Sequence, residues 1–290
     1  MIFLFYSACN LFDKCLVPIV TYGSQIWGIN VKNVIENVLV QFCRKQLCVG
    51  STMLNVAVLG ECGIFPVYIK CYVNVIRYWF KLVSLPEGSL LRSCYNMLYV
   101  QANAGRENWA NGVKNLLYKF GFGYIWEQQS INDIGSFIRI FTGRLCDCYE
   151  QNWNSERVKL SKLSLYNMYK HDFKAEPYLQ LNIPRRLRRS LAKFRTLCIN
   201  INIEIGRRHG IDKEHRLCPF CQKSNILKVE DEFHVLLECS AYSDLRQIYL
   251  DQVNVTLFSF CSIMKVEDVN ELTRLANFIS CVLEVRGQLD

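Results

Sequence analysis

No stretch of this sequence reaches the roughly 20 consecutive apolar residues that a membrane-spanning helix needs. No membrane partner is therefore expected. There is also no Asp-Asp dipeptide, no aromatic-x-Asp-Asp motif, no Gly-x4-Gly-Lys phosphate loop and no His-Glu-x-x-His pattern. Their absence removes the sequence basis for two-metal nucleotidyl transfer, nucleotide hydrolysis and zinc-protease chemistry. No cysteine stands in a local setting that marks an activated nucleophile. The expectation is a protein that is not an enzyme, with no catalytic residue and no small-molecule substrate. Trains of alternating strands and internal repeats are missing as well. The apolar start, Met1-Ile-Phe-Leu-Phe-Tyr-Ser-Ala-Cys9, has no basic residue ahead of it, which reads against a secretory signal.

Cysteine, by contrast, is plentiful: fifteen residues, an odd number, scattered at positions such as Cys9, Cys43, Cys62, Cys94 and Cys281. In a chain of this size that is not a disulfide framework. It reads as small buried apolar residues in a reducing compartment, so an intracellular location, nuclear or cytoplasmic, is expected rather than secretion. Apolar residues make up 51% and aromatics 13% of the chain, enough to fill a core.

The apolar spacing is mostly helical. Ile35, Val38, Leu39 and Phe42 share a face, with Gly50 placed to end that helix. After Pro66, the residues Ile69, Tyr72, Val73, Ile76, Trp79, Phe80 and Val83 recur at three and four, and Pro86 stops the run. Trp109 to Phe120 make another face, closed by Gly121 and Gly123, and Asp133 caps a further helix carrying Phe137, Ile138, Phe141 and Leu145. Residues 150–182 are more polar and read as a connection with one short helix. From Pro184 a narrow stripe, Leu187, Leu191, Phe194, Cys198, Ile201 and Ile205, predicts one continuous helix that Gly206 ends.

Charge is concentrated beside that stripe. Residues 183–217 hold ten basic and three acidic residues, which leaves +1 of the total +8 for the rest of the chain. Arg185, Arg186, Arg188, Arg189, Lys193 and Arg195 fall on the flanks and back of the predicted helix with no acid among them. Ion pairs at i,i+4 within the helix cannot explain that pattern. With Arg207, Arg208 and Arg216 they are the expected contacts to an RNA or DNA backbone.

Just beyond lies Cys218-Pro-Phe-Cys221, twelve residues, His234, four residues, Cys239. A Cys-x-x-Cys turn aims two sulfurs at one point, and a later His and Cys can complete a tetrahedron. Four such ligands without an open position favour one structural Zn²⁺, with His215 a substitute ligand. Positions 234 and 239 are about 140° apart around an ideal helix. The helix must therefore break at 238–240, with Ser240 capping a new helix from Ala241 onward. The acids Glu230, Asp231 and Glu232 suit the N-terminus of the His234 helix.

The run Leu191-x-Lys193-Phe-Arg195, Ile203-Glu-x-Gly206-Arg207, Arg216-x-Cys218-x-x-Cys221 and Val229-Glu-Asp-Glu-x-His234-x-Leu-Leu-x-Cys239-x-x-Tyr242 resembles the zinc-binding tail of reverse transcriptases from animal non-LTR (LINE-like) retrotransposons. Phe12-Asp-Lys-x-x-x-Pro18-Ile-Val-x-Tyr22-Gly-Ser-x-Ile-Trp27-Gly and Asn55-Val-Ala-Val-x-Gly60-Glu-x-Gly63-x-x-Pro66 resemble the thumb region behind the polymerase core. The sequence departs from that pattern at Gln25, where relatives usually carry Glu, at Leu197 and Ile199, and at Ser240 in place of Pro. With the helical apolar spacing, the resemblance, which covers most of residues 10 to 250, leads to the expectation of a mostly α fold: a thumb-like helical domain (1–85), a helical connector (86–182), a basic helix with a CCHC zinc knuckle (183–250) and a C-terminal helical tail (251–290). It implies a nucleic-acid-binding fragment whose partner is the remainder of a reverse transcriptase. The alternatives are a decayed remnant without selected function and a zinc-clipped protein–protein adaptor. Tyr22 and Trp27 read first as core aromatics, with base stacking second.

Overall fold

The computed structural model describes residues 5–30, 33–250 and 255–287. The first four residues of the apolar start, and residues 251–254 and 288–290 of the expected tail, lie outside it. The fold is mostly α, 71% helical. Among the described residues the one strand-like pairing is an isolated antiparallel bridge between Leu217 and Val229. No single helix among them is long and apolar enough to cross a membrane.

The chain forms two compact units. One comprises Ala8–Leu39 and Phe65–Asn152, the other Met1–Ser7, Val40–Ile64 and Trp153–Asp290. The divisions expected at residues 85, 182 and 250 therefore each fall inside a unit. The reason is that residues 40–64 pack with the chain beyond Asn152 rather than with their sequence neighbours. Trp153 donates its indole N–H to the Val56 carbonyl at 2.8 Å. Its ring lies so close to Gly60 that a Cβ there would meet it at 2.6 Å.

The first, aromatic unit is built from the helices Val67–Val83, Leu90–Asn103, Trp109–Lys119 and Gly123–Gln128 and the first part of Ile134–Lys159. Pro66 opens the first of these, since its fixed φ suits the turn and its missing N–H is not needed there. Asn108 caps the third by accepting from the Asn111 N–H at 2.9 Å, and Asp133 caps the last through Ser136 at 2.9 Å. Gly121, at φ 84°, ends the Trp109 helix; Gly123 opens the next helix instead of closing this one. The core is aromatic: Trp79 stacks on Trp126 at 6.0 Å, and Phe80, Phe122 and Phe141 gather around Phe137. Each such side chain contributes about 1.5–3 kcal/mol by burial. The Trp79 N–H is not wasted, donating to the Tyr95 hydroxyl at 2.9 Å.

The second, polar-core unit combines the 17-residue helix Val269–Val285 with many short pieces. Helix Asn33–Leu47 ends not at Gly50 but at Cys48, which takes the left-handed conformation at φ 59°. Helix Ile134–Lys159 continues well past residue 150. The connection beyond it holds the short turns Ser161–Leu163, Tyr166–Tyr169 and Pro177–Gln180 in place of one helix. The predicted helix from 184 to 205 is two helices, Arg185–Arg195 and Asn202–Arg208. Leu197 breaks it at φ 52°, and the Cys198 N–H closes the end on the Lys193 carbonyl at 2.7 Å. Such an end usually takes glycine. Here burial of the Leu197 side chain, 4% exposed, offsets a left-handed cost of about 1–2 kcal/mol. Gly206 lies inside the second helix, where the Arg216 side chain occupies the space a Cβ would need. Helix Arg185–Arg195 packs its apolar stripe along helix Val269–Val285.

Candidate metal centre

Cys218 and Cys221 are held by a tight turn, Pro219–Gln222, in which the Cys218 carbonyl accepts from the Gln222 N–H at 3.0 Å. The Cys218 N–H donates to the Lys228 carbonyl at 2.8 Å, tying the turn to the returning chain beside the Leu217–Val229 bridge. His234 and Cys239 come from the next segment, which solves the spacing problem in two ways. His234–Glu238 is a single π-helical turn, and the Cys239 N–H closes it on the His234 carbonyl at 2.8 Å. This wider winding returns residue i+5 to the neighbourhood of residue i. Cys239 itself is extended (φ −59°, ψ 121°), so the helix breaks there as its periodicity required. Ser240 is not the cap of a new helix but begins a 3-10 turn, Ser240–Tyr242, ahead of helix Ser243–Tyr249.

The four ligand atoms lie within 4.8 Å of one another, and all four residues are buried. The sulfurs of Cys218 and Cys239 are 3.8 Å apart, those of Cys221 and Cys239 3.9 Å, and Cys221 Sγ is 3.4 Å from His234 Nε2. Metal–sulfur bonds of about 2.3 Å at tetrahedral angles give sulfur–sulfur edges of about 3.8 Å. The group can therefore hold one metal ion. His215 is exposed on the turn Lys213–His215 and has no place in the group.

The surrounding groups favour ligation through Nε2. Glu238 faces His234 Nδ1 at 3.0 Å and is itself approached by Lys228 at 3.4 Å. A carboxylate there fixes the tautomer and leaves Nε2 free to bind the ion. Asp231 accepts from the His234 N–H at 2.8 Å and starts the turn. Arg246 donates to the carbonyls of Val235, Leu236 and Cys239, placing a cation beside a thiolate-rich site. Among the thiols themselves, a hydrogen bond from Cys239 holds Cys218 far below the ordinary thiol range, and the same bond pushes Cys239 up. Burial would lower His234, but its bonds to Cys218 and Glu238 win and raise it. Asp231, Glu238 and Arg246 are not marked as site residues by spacing alone. Glu238 at i+4 from the histidine is the one signal the sequence offers for them.

The basic residues divide. Arg195 is 5% exposed and turned inward: Glu61 meets it at 3.0 Å and Glu176 at 2.6 Å, while Tyr178 donates to Glu61 at 2.6 Å. Arg188 is also buried and donates to the Leu181 carbonyl at 3.3 Å. Neither presents its charge to a phosphate, contrary to their expected contact with an RNA or DNA backbone. The compensating acids come from far along the chain and are invisible to a local count. Arg216 serves the fold through the carbonyls of Ile211 (2.8 Å) and Ile203 (3.1 Å). Arg189 and Lys193 are half-buried. Arg185 and Arg186 are exposed, pairing with Cys48 Sγ and with Glu284. Arg207 and Arg208 are partly exposed over Glu204, at 2.8 and 3.1 Å. Tyr22 is 86% and Trp27 38% exposed, so neither is a core residue. The left-handed turn at Gly23 and the bond from the Trp27 indole to the Tyr22 carbonyl, 3.0 Å, hold them at the surface.

The chain matches no protein-family model, no curated protein and no solved structure.

Proposed function

We propose that this chain is a nucleic-acid-binding module organised by one structural Zn²⁺, the counterpart of the zinc-binding tail of a non-LTR reverse transcriptase. The carrying observation is the buried group Cys218, Cys221, His234 and Cys239, whose ligand atoms lie within 4.8 Å of one another. Three sulfurs and an imidazole suit zinc over harder cations, and a closed ligand set makes the ion structural. The bound ion would fix residues 197–242 so that the cations nearby keep one arrangement.

The phosphate contacts are Arg185, Arg186, Arg207 and Arg208, which keep exposure, while Arg188, Arg195 and Arg216 hold the fold. The Arg186–Glu284 pair is a surface pair worth little, so a phosphate can replace it. Arg207 and Arg208 share the buried Glu204, which keeps Lys162 as a cation when they turn to a phosphate. Four such contacts on single-stranded RNA give a salt slope near −3 in log–log terms, on the order of −0.7 per phosphate. No residue has a catalytic role in this reading. The remainder of a reverse transcriptase is the natural covalent or bound partner.

The test measures zinc in the purified chain by elemental mass spectrometry, then single-stranded RNA and duplex DNA binding by anisotropy across salt. One zinc per chain and a slope reduced by about 1.4 in Arg207→Ala/Arg208→Ala support the proposal. A folded zinc-free chain sinks the metal reading. Salt-independent binding, or none, sinks the nucleic-acid reading.

A further inference from the structure

Arg286 stands at the end of helix Val269–Val285, far along the chain from the last ligand, yet it touches residues beside both halves of the ligand set, Phe220 and Glu230. Its Nη2 donates to Glu230 Oε2 at 2.9 Å and to the Asn200 carbonyl at 2.9 Å. Its guanidinium lies over the Phe220 ring at 5.6 Å. Phe220 sits between Cys218 and Cys221, and packs edge-on against Tyr242 at 5.8 Å. Glu230 opens the segment that leads to His234.

Glu230 has no exposure and is held through its backbone and one carboxylate oxygen. Its N–H donates to the Arg216 carbonyl at 2.9 Å, and its carbonyl accepts from Ile203 at 3.0 Å. Its Oε2 also accepts from the Asn202 N–H at 2.7 Å. Oε1 has no hydrogen-bond partner among the described residues. Arg286 is the cation on this carboxylate, and a buried carboxylate deprived of its cation is strongly unfavourable. A planar guanidinium suits the position because one group forks to two acceptors while its face covers a ring.

We infer that Arg286 is a positioning residue for the metal centre. It latches the Cys218–Cys221 turn to the His234 segment and thereby sets how long the ion is held. The inference rests on the metal reading above. It makes the C-terminal helix part of the metal-bearing module instead of a separate tail.

The test uses the full chain loaded with zinc and follows transfer of the ion to an excess of chromophoric chelator. Arg286→Met is expected to release zinc at least about tenfold faster than the native chain. Arg286→Lys should fall between, because an ammonium can pair with Glu230 but cannot fork to Asn200 or cover Phe220 in the same way. Glu284→Gln, which removes only an exposed pair on the same helix, should release at the native rate. Arg286→Met with native circular dichroism and native release kinetics overturns the inference. Should that variant fail to fold, Glu230→Gln and Arg286→Lys decide: native release from both overturns it, and faster release from both supports it. A native chain that takes up no zinc overturns the metal reading and this inference together. Zinc held equally well by every variant overturns the Arg286 role alone.

Discussion

The two units are stabilised by different means. Among the described residues, every buried lysine, arginine and glutamate belongs to the polar-core unit, and the aromatic unit buries only Thr21 and Ser24 among its polar side chains. The aromatic unit has helices of 17, 14 and 11 residues around stacked tryptophans and phenylalanines. The polar-core unit has helices of 17 and 11 residues too, but its connecting and ligand-bearing segments are pieces as short as four residues at Tyr166–Tyr169, Pro177–Gln180 and Pro219–Gln222. Short helices are marginal on their own, since the first turn costs more than it returns. Long amphipathic helices can close a core by non-directional burial. Short ones need cross-ties that act at a point, and here these are ion pairs and a cysteine–histidine group. Apolar packing tolerates rearrangement if volume is kept, whereas a buried charge without its partner does not.

The largest break in this comparison is removal of the metal proposed for the Cys218, Cys221, His234 and Cys239 group. Chelation, or Cys239→Ser, should abolish zinc binding and strip amide protection from residues 197–249, a change on the order of 10 kcal/mol for a structural site. Protection around Trp79 and Trp126 should stay. Hydrogen exchange read by mass spectrometry separates the two, and equal loss in both units would mean they do not stand independently. Next comes a matched pair of substitutions. Arg195→Met leaves Glu61 buried without its cation and Glu176 with Lys170 alone, and should cost about 3–5 kcal/mol. Phe137→Leu in the aromatic core should cost less than about 1.5 kcal/mol. Urea midpoints check the ranking, and a reversed order would refute the contrast.

Acid sharpens the comparison further. Burial alone would raise the Glu204 carboxyl, but hydrogen bonds from Arg207 and Lys162 outweigh it and hold the group below its usual 4.5. The native state therefore binds the proton less readily than the unfolded chain. Its stabilisation is present above about pH 4.5 and is lost as pH falls through the lowered native value. Glu204→Gln should flatten that acid limb of stability in the polar-core unit and leave the aromatic unit unmoved. Thermal melts from pH 7 to 3 measure it, and an unchanged acid limb would refute the assignment. The smallest effect belongs to Lys70→Ala, which removes an exposed 2.7 Å pair with Asp13 in the aromatic unit. It should change stability by less than about 1 kcal/mol.

The features legible in the sequence are local ones. The four ligands lie within a short span, and a Cys-x-x-Cys turn declares itself by spacing. The break at Cys239 follows from helical periodicity, and the helices around Trp79 and Phe137 from apolar recurrence. The illegible features depend on winding or on distance. Nothing local announces that His234–Glu238 winds as a π turn, or that a leucine at 197 takes a glycine's conformation because its side chain is buried. The basic helix reads as a phosphate-contacting face because Glu61 and Glu176 are not its neighbours in the sequence. Arg286 falls in a stretch set apart as a tail for the same reason.

The pair Glu61–Arg195 spans 134 positions of chain, with the whole Phe65–Asn152 stretch between them. At synthesis rates of about 5–20 residues per second, Arg195 emerges after Glu61 by roughly 7–27 s. The helices around Trp79 have time to form in that interval, since local folding takes far less than a second. Glu61 meanwhile keeps its water, and the segment Asn55–Cys62 waits as a half-built surface. Assembly is thus ordered in time by the chain itself: the intervening helices have time to form first, and the Glu61 site is completed only when Arg195 and, later still, helix Val269–Val285 have emerged.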